Sequence, residues 1–186
     1  MMKARILIII LVQAFLYSAC TNNKENKAEK STILANQSDV DEGAKEFMKA
    51  ASIGGVMEVE LAKIAQQQSS NRTVKDFAEM MIKDHTRIYN ELKKLATDKH
   101  ILLPIELEPE QKQELDELRK ISGSAFDERY MRLMVTNHEK ALADYQTGAR
   151  NRDRDVNKLA SAKIDSLKVH LSSAKSIFNK LTISRP

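Results

Sequence analysis

The chain has 186 residues, with 30 Lys and Arg against 26 Asp and Glu, five glycines, three prolines, one cysteine and no tryptophan. That length accommodates one core-forming domain with appendages. The scarcity of Gly and Pro beside abundant Ala, Leu, Lys, Glu, Gln and Met excludes a turn-rich all-β fold and favours helices. Charge is nearly balanced and there is no dense Lys/Arg stripe or aromatic platform, which excludes nucleic acid as an expected partner.

The first predicted element is a targeting segment. Lys3 and Arg5 precede an apolar run from Ile6 to Leu16 and then Ser18 and Ala19, the layout of a secretory signal, and the run falls short of the roughly 20 residues that span a bilayer. Cys20 follows directly and the segment resembles the lipobox of bacterial lipoproteins, although Tyr17 stands where leucine is usual. The resemblance implies a signal peptide over 1–19 and a lipidated Cys20 that anchors the chain to a membrane. Thr21 is not the aspartate of inner-membrane retention, so the expected address is the outer membrane, with the domain in the periplasm. Loss of 1–19 leaves 28 basic residues against 26 acidic ones. With Cys20 acylated, no thiol remains for a disulfide, a thiolate metal site or a nucleophile. The polar, aperiodic stretch over 20–38 reads as a disordered tether.

From 39 onward apolar residues recur at helical spacing, and residues 39–183 are expected to form the domain. Four long helices are predicted, over about 41–68, 73–98 with Asn71 as cap, 124–149 and 153–181. Gly54 and Gly55 lie inside the first, where close approach of a neighbouring helix would compensate their low propensity. Short links join the first helix to the second and the third to the fourth, so each pair is an antiparallel hairpin. Between the pairs, residues 100–123 hold Pro104, Pro109 and a short helical piece, PEQKQELDELRKIS. That stretch can cross the length of a bundle, which predicts an all-α, ferritin-like four-helix bundle with a long crossover containing a short helix. An up-down-up-down bundle is the alternative.

The second and third helices repeat a pattern, FAEMMIKDH ending at His85 and YMRLMVTNH ending at His138. Each histidine falls on the apolar stripe. Counting about 1.5 Å per residue from a common end puts both about 21 Å down, with Glu58 of the first helix and His170 of the fourth within roughly one turn of that level. One carboxylate and three imidazoles suit a divalent first-row transition metal, so Glu58, His85, His138 and His170 are the candidate ligands. Asp84 and Asn137, each preceding a histidine, are candidates for orienting the rings. The alternative is a hydrogen-bonded polar layer that sets helix register. A ferritin-type di-iron site needs Glu-x-x-His on two helices, whereas Ile82, Val135 and Leu167 occupy the positions three before the histidines. There is no HExxH, phosphate loop or nucleophile elbow either. The methionines at 48, 57, 80, 81, 131 and 134 have core spacing, and His100 sits at a helix end where the dipole favours a cation.

From Phe47 to Leu181 the chain resembles the bacterial domain-of-unknown-function family 4142, often labelled a predicted outer-membrane protein. The resemblance is carried by AASIGGVMEVELAKIA around Glu58, VKDFAEMMIKDH, the LLP at 102–104, SGSAFDERYMRLMVTNHEKA and LKVHLSSA around His170. It implies a secreted ferritin-like bundle and supplies no activity. Asp165 stands where the family often has proline. The reading favoured at this level is a non-enzymatic envelope lipoprotein, a membrane-tethered helical module for binding or structure. The alternative is a metal-binding or metal-dependent redox protein using Glu58 and the three histidines.

Overall fold

Both helices of the first hairpin begin at a side chain that accepts the first free backbone N–H groups. Asp41 accepts from the Ala44 amide at 3.2 Å and opens α1, Glu42–Gln68. Asn71 accepts from Thr73 and Val74 at 2.9 and 3.4 Å and opens α2, Arg72–Asp98. These bonds satisfy donors that no helix can satisfy internally. The crossover carries α3, Pro109–Arg119, with proline at its first turn where no N–H is needed. Then come α4, Gly123–Gly148, α5, Arg154–Ser161, opened by Asp153, and α6, Ile164–Ile183. The structure, a computed structural model, describes residues 41–183. The expected signal peptide, Cys20 and the tether lie outside the described residues, and no described helix is long and apolar enough to cross a membrane.

The fold is all-α, with no strand among the described residues. The expected fourth long helix is interrupted, and α5 and α6 are its two segments. At the break the Lys163 amide bonds to the Ala160 carbonyl at 3.1 Å, a tightened turn. It draws the Lys163 side chain into the bundle onto Glu91 of α2.

Contacts at the two ends establish direction. Ser69, past the end of α1, donates to Asp127 at the start of α4 at 2.6 Å. At the other end Phe47 and Tyr145 meet edge to face, 5.1 Å between centroids. So α1 and α4 are antiparallel neighbours. Lys99, after α2, pairs with Asp153 at 2.6 Å and Asp155 at 3.1 Å, which sets α2 antiparallel to the α5–α6 arm. It follows that α2 and α4 run the same way, and the crossover between them returns the chain to the α1–α2 turn, where Gln68 donates to the Arg119 carbonyl at 2.9 Å. The crossover leaves α2 through His100, at φ 55°, with Ile101 N–H reaching back to Ala96 at 2.8 Å, the geometry of a left-handed helix stop usually given to glycine.

Two apolar clusters fill the interior. One gathers Leu61, Phe77, Met81, Phe126, Tyr130 and Met134; the other gathers Phe47, Met48, Ile88, Leu92, Tyr145 and Leu167. The expected core methionines 48, 57, 81, 131 and 134 are buried, and Met80 packs at the margin. His85, His138 and His170 occupy the breaks between the two clusters on α2, α4 and α6, and Glu58 lies on α1 just past its break.

Gly54 and Gly55 in the middle of α1 do not mark close helix approach. A Cβ on Gly54 or Gly55 would have nothing within 4 Å, and both line a cavity. The crowded glycine is Gly148, whose Cβ would lie 2.7 Å from the Phe47 ring.

Candidate metal centre

Helical periodicity turns Glu58, His85, His138 and His170 inward, and parallel α2 and α4 bring the two repeated histidines to one level. All four side chains are buried, each 3% exposed or less. The three rings form a near-equilateral set, with centroids 5.3 Å apart for His85 and His138, 5.4 Å for His85 and His170, and 5.5 Å for His138 and His170. One ligand atom from each ring lies within 4.8 Å of the other two.

Each ring has one nitrogen held from behind. His85 Nδ1 faces Glu58 Oε2 at 2.9 Å. His138 Nδ1 donates to the Met134 carbonyl at 2.9 Å and lies 3.2 Å from Glu58 Oε1. His170 Nε2 is 3.1 Å from Asp84 Oδ2 and 3.5 Å from Ser166 Oγ. A carbonyl or carboxylate can only accept, so these nitrogens carry hydrogen and the lone pair of each neutral ring sits on the other nitrogen. Those others, His85 Nε2, His138 Nε2 and His170 Nδ1, are buried without a hydrogen-bond partner.

Burial pushes His138 and His170 down, His170 to about 4 with the neighbouring His85 adding to the shift. Both are therefore neutral at pH 7. Burial also pushes His85 down, but the Glu58 carboxylate more than offsets it and holds the ring above the usual imidazole range. The reciprocal effect brings Glu58 to about 2 against the upward push of its own burial, through His85 first and His138 next. The apo centre thus holds one ionised pair and two lone pairs with nothing to accept.

Glu58 touches the rings as expected, yet the group whose ligand atoms converge is His85, His138 and His170. Glu58 stands behind His85, the position of a carboxylate that fixes tautomer and raises basicity. Asp84 also orients a ring, that of His170 across the bundle rather than its neighbour His85. Asn137 is half-buried on the wall of the adjacent cavity, with no hydrogen bond to an imidazole among the described residues. Two contributors escaped sequence reasoning. Ser166 lies one turn before His170, a spacing that could have flagged it. Tyr130, counted among the apolar stripe, has a buried hydroxyl without a partner and is pushed up by burial and by Glu58.

Three imidazoles held by outward hydrogen bonds, two with inward lone pairs and His85 gaining its own on losing a proton, fit a divalent metal such as zinc, copper, iron or nickel. Bonds of about 2.0–2.1 Å would require ligand nitrogens roughly 3.4 Å apart in a tetrahedral site, so the rings close inward by small rotations. A cavity of about 320 Å³ adjoins the centre, with Glu58 and His85 in its lining.

The fold and the centre together define a helical-bundle domain with a buried tri-histidine cluster. The chain belongs to the family described as Domain of unknown function (DUF4142), whose model matches residues 29–177. No curated protein sequence matches it. Among solved structures it is similar to a crystal structure of a DUF305 fragment from Deinococcus radiodurans, at TM-score 0.68 and 15% identity, covering 75% of this chain and 97% of that one. That likeness is one of helical fold.

Proposed function

We propose that this domain binds a divalent first-row transition metal through His85, His138 and His170, with Glu58 and Asp84 orienting the rings, inside a bundle of ferritin-like connectivity. One observation carries the reading: three buried ring nitrogens with no partner, each on an imidazole whose other nitrogen is engaged. A polar layer built only to set register would pair its groups, because an unpaired buried acceptor costs about 1–3 kcal/mol. Here two of the facing nitrogens, those of His138 and His170, are acceptors, the third becomes one when His85 gives up its proton, and a cation satisfies them together.

The domain is read as a binding module rather than a di-iron oxidase, since among the described residues the converging set holds no carboxylate and the sequence has no Glu-x-x-His pair. The N-terminal pattern supports an envelope lipoprotein held through acylated Cys20 on the residue 20–38 tether, with the bundle in the periplasm. Metal analysis of protein purified without chelator, beside His85→Ala, tests the metal reading. Stoichiometric metal in the wild type and its loss in the variant is the expected result, and equally low content in both refutes it. Mass spectrometry of the membrane fraction tests the anchor, by an acylated Cys20 at the mature N-terminus.

A further inference from the structure

A metal ion cannot reach the three histidines through the packed apolar clusters, so the centre needs a route. The cavity beside it has the features of one. Its inner end is lined by Glu58 and His85, the buried residues whose Oε1 and Nε2 lack partners. Its wall on α1 includes Gly54 and Gly55, where a Cβ would meet nothing within 4 Å, so side chains at these two positions would enter open space beside the cavity. Its outer lining carries four carboxylates, Glu108, Glu110, Glu114 and Asp144, against one lysine, Lys140. Lys140 pairs with Asp144 at 2.7 Å and Arg129 with Glu114 at 3.4 Å. Glu108 and Glu110 have no ion pair among the described residues.

We propose that this cavity is a cation-loading vestibule, a second and weaker divalent-cation site through which the metal passes to His85 and so to the triad. The inference rests on the three histidines being metal ligands. Hard carboxylate oxygens at the mouth hold a hydrated ion loosely and concentrate it. Between mouth and centre, Ile53, Met57 and Ile88 give the lining apolar surface that favours shedding water. The imidazoles then take the ion in a softer, drier setting. Helix propensity alone would favour almost any other residue over glycine mid-helix; keeping the passage open is what the glycines accomplish.

The test is stopped-flow uptake of cobalt(II) by chelator-stripped protein, followed by its removal with excess chelator, in the wild type, Gly54→Leu and Gly55→Leu. Both substitutions put side chains into open space and leave the ligands untouched, so thermal melts should match or exceed the wild type; if one fails to fold, the other serves. The expected result is that uptake and removal both slow on the order of ten-fold or more, because exchange then waits on local opening of the bundle, while the equilibrium affinity is unchanged. In Glu108→Gln/Glu110→Gln, uptake should lose part of its salt dependence. Wild-type exchange rates in both leucine variants, with cobalt on the triad, overturn the vestibule and leave the metal centre intact. Absence of cobalt binding in the wild type overturns the metal centre and the vestibule with it.

Discussion

Replacing Glu58 separates a residue that orients a metal ligand from one that is itself a ligand. In the metal-free protein Glu58 is 2% exposed and faces His85 at 2.9 Å and His138 at 3.2 Å. Glu58→Ala leaves His85 Nδ1 without an acceptor and removes the charge that holds its proton, and breaking a buried pair from one side costs about 3–5 kcal/mol. Glu58→Gln keeps an acceptor oxygen but loses the charge, which sets its cost nearer 1–3 kcal/mol. Against a typical domain stability of about 5–15 kcal/mol, the alanine variant should melt roughly 10 °C or more below the wild type. Urea unfolding in chelator at pH 7 gives the stabilities. Titration with zinc then gives the affinity, which should fall about 10–100-fold in both variants without vanishing, as for groups behind a ligand. Complete loss of zinc binding in Glu58→Gln, or a destabilisation by Glu58→Ala below about 1 kcal/mol, would refute this placement of the carboxylate.

Other consequences can be measured independently. His138 and His170 are held below the ordinary imidazole value of about 6.5, so between that pH and about 4, where His170 titrates, the unfolded chain binds more protons than the folded one. Stability of the chelated protein should fall on acidification through this window, on the order of 3 kcal/mol for His170; a flat profile in urea melts would contradict it. His85 is raised, so its contribution is complete below about 6.5 and is lost as pH rises through its folded value. Stability of the apo domain should therefore peak near the unperturbed imidazole pKa, and saturating zinc should flatten the alkaline side. Zinc binding should also release a proton from His85, seen as a binding enthalpy that depends on buffer ionisation. Gly148→Ala should destabilise by about 1–3 kcal/mol through overpacking against Phe47, whereas Gly54→Ala should stabilise by up to about 1 kcal/mol, both read by thermal melts.

The helices were legible because their signals are local. Asn71 precedes its apolar stripe and caps α2 as its residue type predicts, and the short links against the long 99–122 stretch decide which helices run together. The repeat ending in His85 and His138 carried the polar level for the same reason, since equal register from a common end needs only counting. What sequence could not show depends on side chains reaching across the bundle. Asp84 passes its adjacent histidine and meets His170. Glu58 has the right height and direction to be a ligand, and only the position of His85 Nδ1 places it behind the ring. At the break before Ile164 the Lys163 side chain meets Glu91 on another helix, and no local breaker announces it. The glycines misled for a related reason, because a missing side chain marks close approach at Gly148 and open space at Gly54 and Gly55, and propensity is the same in each.

The central claim is that the free nitrogens of His85, His138 and His170 hold one metal ion. X-ray absorption on zinc-loaded protein tests it most directly, in the wild type and in His138→Ala. The account predicts a zinc shell with three imidazole nitrogens at about 2.0–2.1 Å, reduced and weakly bound in the variant. A shell of oxygen ligands alone, or one unchanged by His138→Ala, would contradict it.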